Sequence, residues 1–194
     1  FDQMGRKEEL AMLVNAYNAL TIELILDNYQ TVKDADNGIK AIGDPWSGRT
    51  WNIGGHEWTL NEIEHEQIRP KFKDARIHFV LVCAAIGCPP LRTEAYTADQ
   101  LEQQFEDQAK YVHNHDRWFR YDRQANSVHL TELYNWYGGD FKQMAGSVLK
   151  YAAQYNAPLK AALDAGNKPT IEWIDYDWSL NSQAHASRLG EDEK

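Results

Sequence analysis

The chain carries twenty basic and twenty-nine acidic residues among 194, a formal charge of −9, which excludes the basic face that a nucleic-acid partner requires. No apolar run approaches the ~20 residues of a membrane span, so none is expected. A chain of this length buries roughly 70% of its unfolded surface on folding, so a single domain over residues 1–181 is expected to form without disulfide, metal or cofactor.

The first predicted element is a helix over 7–29, where Leu10, Leu13, Val14, Tyr17, Leu20, Leu24 and Ile25 recur at three- and four-residue spacing. Asn15 and Asn18 share a face of it and are candidate binding residues, although their amides equally suit loop backbone. Residues 30–48 predict a long loop turning at Gly43-Asp44-Pro45, of the kind that serves as a lid or binding loop. Arg49–Ile53 and His56–Trp58 flank Gly54-Gly55 as a hairpin. Thr59-x-x-Glu62 is a capping box for a helix over 60–69, ended by Pro70. Residues 77–83 are apolar on both faces apart from His78 and predict a central strand. Thr97-x-x-Gln100 caps a helix bearing Leu101, Phe105 and Val112. A second hairpin joins Trp118–Tyr121 to Val128–Leu130. Helices over 131–137 and 140–155, broken at Gly138-Gly139, precede a short helix over 157–165 and a last strand over Ile171–Tyr176. The polar tail over 182–194 is expected to be disordered. This mixture without a βαβ rhythm predicts an α+β fold, helices packed around a small mixed or antiparallel sheet. The chain opens at Phe1 without an initiator Met, so its native start, and with it any targeting segment, is expected upstream.

Six ordered motifs resemble one family: Asn15-Ala-Tyr-Asn-Ala-Leu20, Leu60-Asn-Glu-Ile-Glu-His65, Arg76-Ile-His-Phe79, Cys83-Ala-Ala-Ile-Gly-Cys-Pro-Pro-Leu91, Glu94-Ala-Tyr96 and Tyr176-Asp-Trp-Ser-Leu-Asn181. Together, over roughly residues 8–181, they are similar to the family catalogued as domain of unknown function 547. The resemblance implies no assigned activity. It implies a periplasmic or extracellular location, as for exported bacterial members. It marks Asn15, Tyr17, Asn18, Asn61, Glu64, His65, His78, Cys83, Cys88, Pro89, Pro90, Asp177 and Asn181 as matching positions.

The only two cysteines, Cys83 and Cys88, lie in one segment. Cys88, on a loop stiffened by Pro89 and Pro90, is the candidate nucleophile. His65, on the capped helix, is the candidate base, with Asn61 or Glu62 to orient its ring. Loop amides at Gly87 and Cys88 are the candidate oxyanion donors. Glu64, His78 and Asp177 are candidate binding groups. Strand alternation sets His78 and Cys83 on opposite faces, and the absence of CxxC or HxxxH argues against a metal site. His56, His113, His115, His129 and His185 are expected at the surface. The function predicted is a thiol-dependent hydrolase or acyl transferase acting on a small-molecule or peptide-like ligand. The alternatives are a non-catalytic binding module with an aromatic cleft and structural cysteines, and a redox cysteine pair, against which the missing CxxC counts.

Overall fold

The N-terminal helix, Arg6–Asp27, is the spine of the molecule. Leu10, Leu13, Val14, Tyr17 and Leu24 form its buried stripe, and the polar Asn18 and Thr21 are buried with them. By length and composition this helix is long and apolar enough to cross a membrane, contrary to the expectation from the sequence, yet half of its most apolar stretch is buried inside the fold. The computed structural model describes residues 3–183.

The predicted loop 30–48 is partly helical. A helical turn, Tyr29–Val32, and a 3-10 turn, Gly38–Ile42, lead into the hairpin of β1 (Trp51–Ile53) and β2 (His56–Trp58). Gly54 and Gly55, at φ 61° and 90°, supply the left-handed pair that a tight two-residue turn demands. The next helix spans 60–72. Its capping box is closed as the sequence predicts, with Thr59 N donating to Glu62 Oε2 at 2.7 Å and Glu62 N to Thr59 Oγ1 at 3.1 Å. Pro70 does not end it. Residues Ile63–Ile68 widen into a π-helical turn, and the chain returns to α-helix over Arg69–Phe72. A proline ring clashes with the carbonyl four residues back in a regular α-helix, so the wider turn ahead of Pro70 relieves that clash.

The predicted central strand at 77–83 is replaced by one helical turn, Ile77–Val80, followed by extended chain. Both faces are buried, as the pattern required. The backbone partner is a side chain rather than a strand: Asn18 Nδ2 donates to Val80 O at 2.9 Å, and Val82 N donates to Asn18 Oδ1 at 2.9 Å. Asn15 clamps Tyr96 in the same way, at 2.8 and 2.9 Å. Both amides thus serve loop backbone.

The helix Leu101–His113 starts without a side-chain cap, so Thr97 does not cap it. The sheet is mixed: β3 (Phe119–Asp122) pairs antiparallel with β4 (Ser127–Thr131), and β5 (Thr170–Ile174) adds parallel to β4, which is the true centre. Between β4 and β5 run the helices Leu133–Trp136, Gly138–Ala145, Val148–Ala152 and Ala157–Asp164. The expected break falls at Tyr137, so Gly138 opens the next helix, and the helix expected over 140–155 is interrupted at Gly146 and Ser147. The α+β class holds, in one compact domain with one apolar cluster under the N-terminal helix and another around Phe79, Tyr134 and Phe141. Of the expected disordered tail, residues 184–194 lie outside the described residues, as does His185.

His113 is buried, not at the surface as expected. Its Nδ1 lies 2.6 Å from Ala109 O, which can only accept, so Nδ1 carries the proton and Nε2 accepts from the Tyr134 hydroxyl. Burial pushes its pKa down to about 4. The unfolded chain therefore takes up this proton first as pH falls. Stability from His113 is full above the ordinary histidine value of ~6.5 and declines from there toward pH 4, by about 3 kcal/mol at the lower end. In urea titrations at pH 7 and 4, His113→Gln is expected to lose less stability on acidification than the parent by roughly that amount; equal losses would refute the assignment.

Candidate functional site

A cavity of about 550 Å³ opens where the apolar clusters meet. The N-terminal helix contributes Tyr17, the 30–48 segment Lys40, Asp44, Trp46 and Ser47, and the π-containing helix Asn61, Glu64 and His65. The 77–88 segment adds His78, Leu81, Cys83 and Cys88. Leu133, Trp136, Tyr137, Tyr176 and Trp178 close the far wall.

Asn61, Glu64 and His65 all line the cavity, since residues three and four apart share one face of a helix. Behind them lies a polar chain. Asp140 accepts from Arg69 Nε at 2.8 Å and Nη2 at 3.1 Å, and from His78 Nε2 at 2.8 Å. The His78 ring, with the Arg69 guanidinium beside it, holds Asp140 well below the usual carboxylate range. Burial pulls His78 below the ordinary histidine value, so at neutral pH its one proton sits on Nε2 and its Nδ1 lone pair is open. That nitrogen lies 4.0 Å from Glu64 Oε1. The ring stacks on Tyr137 at 3.7 Å between centroids.

His65 is placed differently. Its Nδ1 lies 2.9 Å from Arg69 Nη1. A guanidinium only donates, so Nδ1 accepts and the ring proton is on Nε2. The 3.9 Å approach of His65 Nδ1 to Glu64 is therefore no ion pair. His65 has no free lone pair with which to act as a base.

The two thiols are also unlike. Cys88 is buried, its Sγ accepting from Cys83 N at 3.3 Å and lying 3.8 Å from Leu81 O. Hydrogen bonding to Cys83, with burial, pushes the Cys88 thiol up. Cys83 is only half-buried. The Cys88 side chain draws its pKa below the ordinary thiol value against the effect of burial, and the Tyr176 hydroxyl, 3.0 Å from the sulfur, acts in the same direction. Both cysteines are free.

A strap formed by Tyr176–Asn181 fixes this loop. Ile86 N donates to Ser179 O at 3.0 Å, Gly87 N to Asp177 O at 2.9 Å and Asn181 N to Ala84 O at 2.8 Å. Cys88 N donates to Ala85 O at 3.1 Å. The amides of Gly87 and Cys88 are thus occupied and form no oxyanion hole.

The structure brings together Asn61, Glu64, His65, His78 and Cys88 of the sequence-predicted residues, with Cys83 beside them. His78 and Cys83 meet one cavity because 77–80 is helical, which overturns the opposite-face inference from strand alternation. Glu62 is held in the capping box. Asn15, Asn18 and Asp177 lie outside the lining, and Asp177 Oδ1 accepts from Ser179 N at 2.8 Å. Sequence reasoning missed Asp140, Arg69, Tyr137 and Lys40. No local spacing marks Asp140, which is 62 residues from His78 and 71 from Arg69, whereas Arg69 follows His65 by four residues and was legible as its helical neighbour.

The sequence model of a family described as "Protein of unknown function, DUF547" matches residues 1–111, more than half of the chain. The strap motif and Asp140 lie beyond that span. No curated protein and no solved structure matches the chain.

Proposed function

The chain belongs to the DUF547 family, whose description assigns no activity, and from that premise we propose a thiol-dependent hydrolase or acyl transferase that uses Cys83, not Cys88, as nucleophile. The observation that carries this reading is the asymmetry of the thiol pair: Cys83 is half-buried with its sulfur 3.0 Å from the Tyr176 hydroxyl, whereas Cys88 is buried with its sulfur held by Cys83 N and Leu81 O, and the lowered Cys83 and raised Cys88 pKa agree with that difference. A thiolate is the reactive form, so the asymmetry selects one sulfur.

His78 is the base. Asp140 fixes its tautomer through Nε2–H and leaves Nδ1, in the same lining as Cys83, to take the thiol proton through a bridging water. Glu64, 4.0 Å from Nδ1, stabilises the imidazolium formed. Cys83 Sγ bonds to the substrate carbonyl carbon, and the π pair moves to oxygen, where the Tyr17 or Tyr176 hydroxyl donates. Burial keeps both hydroxyls protonated. Collapse expels the leaving heteroatom, which takes the proton from His78 Nδ1. Water or an amine then attacks the thioester, returns a proton through His78, and frees the sulfur.

The test is alkylation with iodoacetamide across pH, with the labelled residue mapped by mass spectrometry. Cys83 is expected to label at least about tenfold faster than Cys88 at pH 7, with an apparent pKa below the ordinary thiol value. His78→Asn is expected to leave Cys83 accessible while abolishing turnover of an activated thioester. Preferential labelling of Cys88, or equal sluggishness of both, would overturn the assignment.

A further inference from the structure

Glu64 is 6% exposed and lines the cavity, yet among the described residues no lysine or arginine pairs with it. The nearest ring nitrogens are His65 Nδ1 at 3.9 Å and His78 Nδ1 at 4.0 Å, both lone-pair nitrogens in the tautomers set by Arg69 and Asp140. Its other contact is the Tyr137 hydroxyl. A buried carboxylate without a cation is costly unless a partner arrives. Arg69, the nearest guanidinium in the network, is already committed to Asp140 by two hydrogen bonds.

The walls around this carboxylate are aromatic. Trp46 and Trp136 pack against Trp178, with centroid distances of 6.0 and 5.6 Å. Indole faces attract cations. One such contact is already made: Lys40 Nζ sits 3.4 Å from the centre of the Trp178 ring. An ammonium group of the protein itself thus stands on the aromatic rim, with the carboxylates of Asp44 and Glu64 in the same lining.

Resting on the reading of this cavity as the reacting site, we propose that its substrate carries a protonated primary amine, seated between the aromatic walls and Glu64. Glu64 supplies the counter-charge deep in the cavity. Lys40 occupies one indole face and competes there with the ligand. An anionic ligand would meet Glu64 and Asp44 with a single lysine to offset them, and a neutral one would leave Glu64 without a counter-charge.

The probe is n-butylammonium, compared with butan-1-ol and butyrate, followed by tryptophan fluorescence in the whole protein. Butylammonium is expected to bind saturably and at least about tenfold more tightly than either congener, the factor that one charge-assisted contact supplies. Glu64→Gln, which keeps an acceptor for Tyr137, is expected to erase the preference. Lys40→Met, at an exposed position, is expected to tighten butylammonium binding several-fold. Cys83→Ala is expected to leave it unchanged, because binding needs no thiol chemistry. Butyrate binding as well as butylammonium, a preference that survives Glu64→Gln, or no saturable response to butylammonium would each overturn the proposal. Butylammonium binding beside an unreactive Cys83 would uphold the ligand class and sink the thiol mechanism; a reactive Cys83 with butyrate preferred would do the reverse.

Discussion

Asn18→Ala is expected to destabilise the protein by about 3 kcal/mol, since it orphans the Val80 carbonyl and the Val82 amide, each costing roughly 1–3 kcal/mol when buried. The amide of Asn18 does the work of an absent strand, so no backbone group stands ready to replace it. The same change releases the extended chain that leads into Cys83, and the preferential alkylation of that thiol is expected to fade with stability. Urea titration should show a lower midpoint with an unchanged slope. Asn15→Ala, whose clamp on Tyr96 is only half-buried, is the matched control and is expected to cost less. A cost for Asn18→Ala below that of the control would show that the clamp is not what holds the segment.

Gly38→Ala is expected to have the other large effect. Gly38 lies at φ +46°, and a Cβ there would stand 2.1 Å from the Trp178 carbonyl oxygen and 3.3 Å from Leu180 N. Both neighbours are backbone of the strap, so neither can swing aside as a side-chain tip would. Gly166, at φ +84° with nothing within 4 Å of its Cβ position, separates the two contributions. Gly166→Ala is expected to cost about 1 kcal/mol, the conformational part alone. Gly38→Ala is expected to cost several times that by urea titration, or else to displace the strap and raise the pKa of Cys83 as the Tyr176 hydroxyl withdraws. A stable Gly38→Ala variant with an unaltered alkylation profile would mean that the strap has no part in setting the thiol.

The sequence was informative where local chemistry decides. The capping box at Thr59 and Glu62, the Gly54-Gly55 turn, the 119–131 hairpin and the α+β class all follow from residues close together in the chain. It was misleading at 77–83, because a run buried on both faces looks the same whether its backbone is satisfied by a ladder or by one distant amide. It singled out Asn61, Glu64, His65, His78 and both cysteines through their motifs, but it set His78 and Cys83 on opposite faces and could not rank the two thiols. Cys88 looked the better nucleophile on its stiff Pro-Pro loop. Its burial and its hydrogen bonds to Cys83 and Leu81 emerge only in three dimensions. His65 looked the better base until Arg69, one helical turn on, turned out to donate to the nitrogen that mattered. Pro70 hid the π turn, since a proline in a helical pattern ordinarily marks an end.

The strap also sets an order of events during synthesis. The cysteines are made by residue 88, but the tyrosine that tunes one of them and the carbonyls that receive its loop belong to residues 176–179. A nascent chain shorter than that holds two unshielded sulfurs without the surroundings that distinguish them. The two positions become chemically different only once residues 176–179 dock, so any product that stops short of them lacks the hydroxyl that helps lower the Cys83 pKa.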